Sequence, residues 1–499
     1  MGSNPTIPTI LIVLGGKVDQ NKAPLYEAVV DYIKKGMVPF HMPGHSQGKG
    51  APDVLKKLFG KEFFDYDLTE VSGLDYLHFA QGVIRDAENL AAELYKTKAT
   101  FFVVNGTTAA IHGMILSMVK KEDKIIIGRN SHRSVIGGIL EIGAFPVFVH
   151  PEFNEEFGII TNITPQSLEK VIKDNPDAKA VLITTPNYYG MQGRIMEMIN
   201  LVHSHNMYVL VDEAHGAHFP FHPSFPKSAI DCGADLVAQS AHKTLPTLTQ
   251  TSFLHVVSDK VNVDKVEQVL GIIESSSPSY IFMTTMDIAR REMALNGRKL
   301  WQDTIEIAEY ARREISKISG FKVTSPTIIN GNDISAFDPI KLTINIQQLG
   351  YSGFEFESYL NKNNIEIELS DLQNVLLFIT IGTRREDVNK LISVLKGIKP
   401  RKEKSKVKFP RFPYAGKQVI TPSEAFNMNY EIIELSKSIG RISWGIVAPY
   451  PPGIPVFVPG MEITKEEKEF IHEIHRNGAL VQGSIKKDEK IYVRVLKTL

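Results

Sequence analysis

The chain has 499 residues, 43% hydrophobic and 22% charged, which is enough for two or three domains around at least one large core and too apolar for wholesale disorder. Basic and acidic residues balance at 56 each, so composition gives no reason to expect a nucleic-acid or membrane partner. The single cysteine, Cys232, excludes an intrachain disulfide and suits a reducing compartment, which makes the cytoplasm the expected location.

The chain opens on "MGSNPT", a match to the loose myristoylation pattern through Gly2 and Thr6. The run "ILIVLGG" from Ile10 is far short of the about 20 residues a membrane helix needs, and it lacks the basic flank and cleavage site of a secretory signal. From about Lys98 to Val257, apolar runs alternate with segments of helical period. "TFFVVNG", "KIIIGRN", "PVFVHP", "AVLITTPN", "MYVLVDEAHG", "DLVAQSAHK" and "TSFLHVV" make at least seven. Short continuous apolar runs fit strands buried on both faces, so the reading is an α/β domain with a mainly parallel sheet. Ligands of such sheets collect beyond the carboxyl ends of the strands.

From Trp301 the character changes. "WQDTIEIAEYARREISKI" is helical by period, "IKLTINIQQLG" and "NVLLFITIGT" are strand-like, and the amphipathic "GFEFESYLNKNN" lies between them, the pattern of a smaller α+β domain ending near Lys399. "KPRKEKSKVKFPRFPY" follows and reads as a solvated linker, its cations and two phenylalanines being weak grounds for RNA binding. In the last segment, the five prolines of "APYPPGIPVFVPG" exclude helix and central strand and predict a rigid extended loop.

Several strand ends carry chemistry. "FFVVNGTTAAIHGMIL" reads strand, turn, helix, with Gly106, Thr107 and Thr108 at the turn; it is either an ordinary capped helix or a phosphate site made by free N–H groups. In "VLVDEAHGAHF", Asp212 ends an apolar strand and is followed by Glu213, His215 and His218. These are metal-ligand types, but the spacing matches no familiar zinc pattern, and no metal is expected. A buried carboxylate at a strand end implies a cationic partner. His132 stands just past another strand in "IIIGRNSHRSVIGG". In "QSAHKTLPTLTQ", Ser240, His242 and Lys243 follow the apolar Leu236, Val237 and Ala238; Lys243 is either a solvated strand-end lysine or a functional amine.

One ligand would use a phosphate cradle, a buried acid, an imidazole and a lysine together: pyridoxal 5′-phosphate. Its phosphate needs a helix N-terminus and hydroxyls, its ring nitrogen a carboxylate, its ring face a flat side chain, and its aldehyde an amine. Lys243 stands where that amine is required, with Ser240 and His242 as further phosphate donors.

The sequence resembles the ornithine/lysine/arginine decarboxylases of aminotransferase fold type I, over nearly the whole chain. The resemblance is carried, in family order, by "FHMPGHSQGKG", "LTEVSGLDYL", "VNGTTAAIHG", "RNSHRSVIGG", "VDEAHGAHF", "QSAHKTLPTLTQ", "ESSSPSY" and "PYPPGIPVFVPG". It implies a large α/β domain with a mainly parallel seven-stranded sheet over residues 51–300. An N-terminal arm (1–50) would precede it, and a small α+β domain (301–400) and a linker with the family's C-terminal domain (401–499) would follow. By the same resemblance Lys243 corresponds to the lysine that condenses with the cofactor aldehyde, Asp212 to the partner of the ring nitrogen, and His132 to the histidine stacked on the ring, with Ala214 on the opposite face. Thr107, Thr108, Ser240 and His242 match phosphate contacts. Gly106 of the turn and His215 of the acidic block are counted with the cofactor residues. Ser276 and Ser277 lie in a block that in relatives reaches the cofactor phosphate of the neighbouring subunit, so a homodimer with shared active sites is the smallest expected unit.

The implied reaction is decarboxylation of a basic L-amino acid, arginine first, with lysine or ornithine as alternatives. Either Lys243 or His132 would return the proton to Cα. The chain resembles the short bacterial form, without a response-regulator-like N-terminal wing. It departs from the family at Ser443-Trp444-Gly445, where many short-form arginine decarboxylases carry an Ala-Glu pair; an acid there that held the distal cation would be missing. An aminotransferase or lyase would keep the cofactor and break another bond, but the proline-rich C-terminal block belongs to the decarboxylase branch. A catalytically silent regulator would be expected to lose Lys243 or Asp212, and both are present.

Overall fold

Each of the seven apolar runs forms a strand: β1 (Ala99–Val103), β2 (Lys124–Gly128), β3 (Phe145–Val149), β4 (Ala180–Thr184), β5 (Tyr208–Asp212), β6 (Leu236–Gln239) and β7 (Ser252–Val256). They make one sheet in the order β1-β7-β6-β5-β4-β2-β3. β7 runs antiparallel to both its neighbours and the other pairings within β2 to β6 are parallel, so six strands point the same way. The continuous apolar runs have a direct cause. Alternate residues such as Val181, Val209 and Val237 pack into a core on one face, while Leu182, Leu210 and Leu236 pack into a second core on the other. The computed structural model describes residues 19–401, 410–414, 416–450 and 453–497; the Gly2/Thr6 pattern, the "ILIVLGG" run and residues 402–409 of the basic stretch lie outside them.

The helices that follow the strands bring their N-termini to the carboxyl edge of the sheet. They are α1 (Gly106–Met118) after β1, α2 (Arg133–Ile142) after β2, and the single turn α3 (Ala241–Thr244) after β6. The 36-residue α4 (Tyr280–Ile315) buries Met283, Met286 and Trp301 in the first core and Ala311 and Ile315 in a separate one. The division expected at residue 300 therefore falls inside a continuous helix. That separate core belongs to an antiparallel sheet, β8 (Lys322–Val323), β9 (Lys341–Asn345), β10 (Leu369–Ser370) and β11 (Asn374–Phe378), in the order β8-β9-β11-β10. It is covered by α5 (Gly353–Lys362) and α6 (Arg385–Gly397).

The C-terminal segment adds β12 (Tyr430–Glu434), β13 (Ala448–Tyr450), the helix α7 (Lys465–Arg476), β14 (Leu480–Gln482), β15 (Ile485–Lys487) and β16 (Lys490–Leu496). β13, which contains Pro449, pairs only with β14 among the described residues. That is the edge position proline tolerates. Among the described residues no helix is long and apolar enough to cross a membrane.

Candidate active site

Because six strands share a direction, the residues that follow them meet at one edge, where a cavity of about 540 Å³ opens. Ten of the twelve residues singled out from the sequence line it: all except Ser276 and Ser277, which are exposed elsewhere on the chain.

At one end, the turn before α1 takes a positive φ of 75° at Gly106, which a residue without Cβ adopts freely. The turn is held from behind by Glu274, whose Oε1 accepts hydrogen bonds from the N–H groups of Val104 and Asn105, both at 2.8 Å. Among the described residues no side chain caps α1, so the N–H groups of its first turn, at the cavity, lack an internal acceptor there. The Thr107 hydroxyl joins those of Ser240 and, at 2.9 Å, Ser252, tying this turn to the end of β6. His242 Nδ1 is 2.8 Å from the Thr251 carbonyl. Thr108 is exposed at the rim.

Asp212 ends β5 between β4 and β6, in register with Thr184 and Ala238, and is buried. Burial pushes its carboxyl above the usual range, with Lys243 and the Ala214 N–H (3.2 Å from Oδ1) pulling the other way. Lys243 Nζ lies 3.0 Å from His215 Nε2 and 5.4 Å from the centre of the Tyr188 ring. Burial lowers the affinity of this amine for its proton, partly offset by Asp212 and Glu368. His215 is held neutral by burial and by Lys243, so its Nε2 accepts from the amine and its Nδ1, buried, has no partner among the described residues. His132 caps α2: its Nδ1 accepts from the Ser134 N–H at 3.3 Å and lies 2.8 Å from Ser134 Oγ. Burial, with Lys243 and Arg133 adding to it, pushes its pKa down to about 4, so the imidazole is neutral near pH 7.

The rest of the wall was not legible from the sequence. Tyr188 packs its ring 4.3 Å from that of His215 and donates its Oη–H to Glu368 Oε1 at 2.7 Å. Tyr189 donates to Asp371 Oδ2, also at 2.7 Å. Phe412, from the stretch read as a solvated linker, is buried and lines the cavity with Phe354 and Phe470.

Behind His215 is a group the sequence did not reveal. Lys341 is fully buried, its Nζ has no acceptor among the described residues, and it stands 3.0 Å from the centre of the Phe378 ring, whose edge meets His215 at 5.9 Å. His218 Nε2 is 3.1 Å from Asp338 Oδ2, inside ion-pair distance but out of line for a hydrogen bond. Gly190, at φ 83°, is backed onto this cluster; a Cβ there would lie 2.6 Å from Lys341 Cγ. Burial pushes the Lys341 amine down to about 7, Lys243 adds to the depression, and Asp338 and Glu368 oppose it. Between that value and the ordinary 10.5 the folded chain has released a proton the unfolded chain still holds, so this residue makes stability rise with pH across the window. The expected result is that Lys341→Met flattens the increase in stability between about pH 7 and about pH 9, by up to ~1.4 kcal/mol per pH unit. Calorimetric scans of both proteins across that range check it; parallel pH profiles would show that the amine does not titrate there.

The sequence profile described as "Orn/Lys/Arg decarboxylase, major domain" matches residues 23–387, and that of "Orn/Lys/Arg decarboxylase, C-terminal domain" matches residues 406–476. The chain belongs to the Orn/Lys/Arg decarboxylase family. It is 36% identical over 489 residues to a protein of Bacillus subtilis (strain 168) named arginine decarboxylase, covering 96% of this chain and 99% of the relative. It is 37% identical over 473 residues to one of the same name from Halalkalibacterium halodurans, covering 93% and 96%. Lysine decarboxylase A from Pseudomonas aeruginosa superposes with a TM-score of 0.85 at 22% identity, over 95% of this chain and 80% of that one, a likeness of fold. The decarboxylase thus has the pyridoxal-phosphate-dependent transferase fold of type I expected from its sequence, and the family is one of amino-acid decarboxylases that depend on that cofactor. The family match favours this reading over the aminotransferase, lyase and silent-regulator alternatives.

Proposed function

We propose that the cavity binds pyridoxal 5′-phosphate and decarboxylates a basic L-amino acid, arginine before lysine or ornithine. The observation that carries the reading is a buried lysine amine, loosened from its proton, hydrogen-bonded to a neutral histidine in the same cavity as a buried aspartate and an uncapped helix N-terminus. The donor set fits the cofactor group by group. Gly106, Thr107, Thr108, Ser240 and His242 would hold the phosphate, Asp212 the ring nitrogen, His132 and Ala214 the two ring faces, and Lys243 the aldehyde carbon. His215, with one buried nitrogen unpartnered, has a donor to spare for a polar atom of the cofactor or substrate. When bound, the cofactor supplies an electron sink for the bond between Cα and the departing carboxylate.

The residues then divide the work. Ionised Asp212 favours a protonated ring nitrogen by direct charge pairing. Lys243 Nζ is the better donor of the proton that Cα must recover, because its amine releases protons readily, whereas His132 is neutral and its Nδ1 already serves as an acceptor for Ser134. Apart from Asp212, Asp371 is the carboxylate that lines the cavity among the described residues, and it is the proposed seat of the substrate's distal cation.

The departure at Ser443-Trp444-Gly445 does not touch this chamber. None of the three lines it; Trp444 stacks on Phe426 at 4.9 Å and donates its indole N–H to the Met428 carbonyl at 3.1 Å. Arginine is placed first on the names and identities of the relatives. Incubating the holo-protein separately with arginine, lysine and ornithine and weighing the products tests this. The expected outcome is agmatine and CO2 from arginine in excess of the amines from the other two. Faster turnover of lysine or ornithine would reassign the substrate, and a product of unchanged carbon count would reassign the reaction.

A homodimer is proposed on the same footing. Phe79 (64% exposed) and Ile272 (80%) flank the segment of Ser276 and Ser277, which His78 anchors by a 2.8 Å contact with the Ser275 carbonyl. An apolar face of that kind around two serines suits a second copy, whose cofactor phosphate Ser276 and Ser277 would reach. The cytoplasm and the boundaries near residues 50 and 400 stand as proposals too, the boundary near 300 being carried by the continuous helix α4.

A further inference from the structure

We propose that the C-terminal segment positions His132, with Arg129 and Gly453 as the positioning residues; this rests on reading His132 as the side chain stacked on the cofactor ring. The imidazole is gripped from two sides. Its Nδ1 edge belongs to the large sheet, through the start of α2. Its opposite edge belongs to the proline-rich segment: a Cβ built on Gly453 would lie 3.3 Å from both Cδ2 and Nε2 of His132, closer than nearly all ordinary contacts, and Gly453 sits at φ 83°. Only a glycine meets both demands without strain.

The segment is held there from either side of His132 in sequence. The Arg133 N–H donates to the Gly453 carbonyl at 3.1 Å, and the Arg133 guanidinium to Gln482 Oε1 at 2.6 Å. Arg129 donates to the carbonyls of Pro455 and, at 2.8 Å, Val456. It is 4% exposed and has no carboxylate within ion-pair distance among the described residues. Its charge is met instead by ring faces, with Phe148 at 5.1 Å and Phe412 at 5.3 Å from the guanidinium carbon. A buried cation without a carboxylate is a costly way to join two parts of a chain. Here its planar fork fixes two successive carbonyls just beyond the glycine that abuts the imidazole, a geometry a lysine does not reproduce. The same segment supplies Pro449, Tyr450 and Ile454 to the cavity wall.

The test uses full-length holo-protein with Arg129→Lys, Gly453→Ala, His132→Ala, and the double variant Arg129→Lys with His132→Ala. The readouts are the visible circular dichroism of bound pyridoxal phosphate and its dissociation constant. The expected result is an altered dichroic band and affinity weakened on the order of tenfold in Arg129→Lys and in Gly453→Ala, with no further change when Arg129→Lys is added to His132→Ala. An Arg129 that merely glues the chain together would lower thermal stability and act additively with His132→Ala, and that outcome overturns the proposal. Gly453→Ala decides the matter if Arg129→Lys does not fold: a native dichroic band and affinity in it sink the idea. If His132→Ala itself leaves band and affinity unchanged, the stacking role of His132 is what fails.

Discussion

Lys243→Ala protein is expected to bind pyridoxal phosphate without the long-wavelength absorbance of a covalently held cofactor and to lose turnover with arginine by several orders of magnitude. No other lysine lines the cavity among the described residues, so no second amine can take over the attachment from the same wall. The effect is large because Lys243 has two tasks, attachment of the cofactor and, in the proposed sequence, return of a proton to Cα; residues that act in successive steps of one reaction are not replaced piecemeal. Removing the amine also strips Asp212 of the nearest charge that favours its ionised form, so its carboxyl should move still higher. The fold should survive, since the neighbours of Lys243 in α3, Ala241 and Thr244, carry the packing of that turn. Absorbance of the reconstituted variant, with peptide mass after borohydride reduction, is the measurement. A retained band would make another lysine the anchor, Lys341 being the first to examine.

Asp212→Ala is expected to lower turnover by a factor on the order of 10² to 10³, the scale of removing one preorganised electrostatic partner, while a folded chain that still captures the cofactor persists. The carboxylate lies in the middle of the sheet edge, buried, with the Ala214 N–H as its one hydrogen-bond donor among the described residues. Burial disfavours the ionised form of such a carboxyl until a cation pairs with it, and a protonated ring nitrogen is such a cation. The substitution should also ease proton loss from Lys243, because Asp212 is the largest influence holding that proton on. The pH at which the apo-protein begins to capture cofactor should therefore move down, while the rate of product formation falls. Steady-state kinetics with saturating cofactor, beside the pH dependence of cofactor capture, separates the two effects. Near-normal turnover would exclude pairing of Asp212 with the ring.

Much of this was legible along the chain because the signals are local. A strand buried on both faces is apolar at most of its positions, as the seven runs from Thr100 to Val257 are; each became a strand of the one sheet. Polar residues placed directly after such runs, Asp212 after "VLV" and Lys243 after "LVAQSAH", lie at the carboxyl ends whatever else the chain does. The family blocks then implied the cofactor and the class of reaction, and the profile matches over residues 23–387 and 406–476 bear out the class of reaction.

What only the tertiary structure decided is how residues far apart in the chain meet. The hydrogen bond from Lys243 to His215, the Tyr188 ring laid over it, the passage of Phe412 from an apparent linker into the cavity wall, and the burial of Lys341 without an acceptor among the described residues have no periodic or spacing signature. The same holds for the departure at Ser443-Trp444-Gly445, read as the loss of an acid from the site, where Trp444 packs its ring against Phe426 and none of the three residues lines the chamber. Secondary structure follows from the burial demanded of neighbouring residues, which the chain carries in its own order. Side-chain encounters across separate elements follow from how sheets and helices close-pack in space, and that information is spread over the whole sequence rather than written at any one place in it.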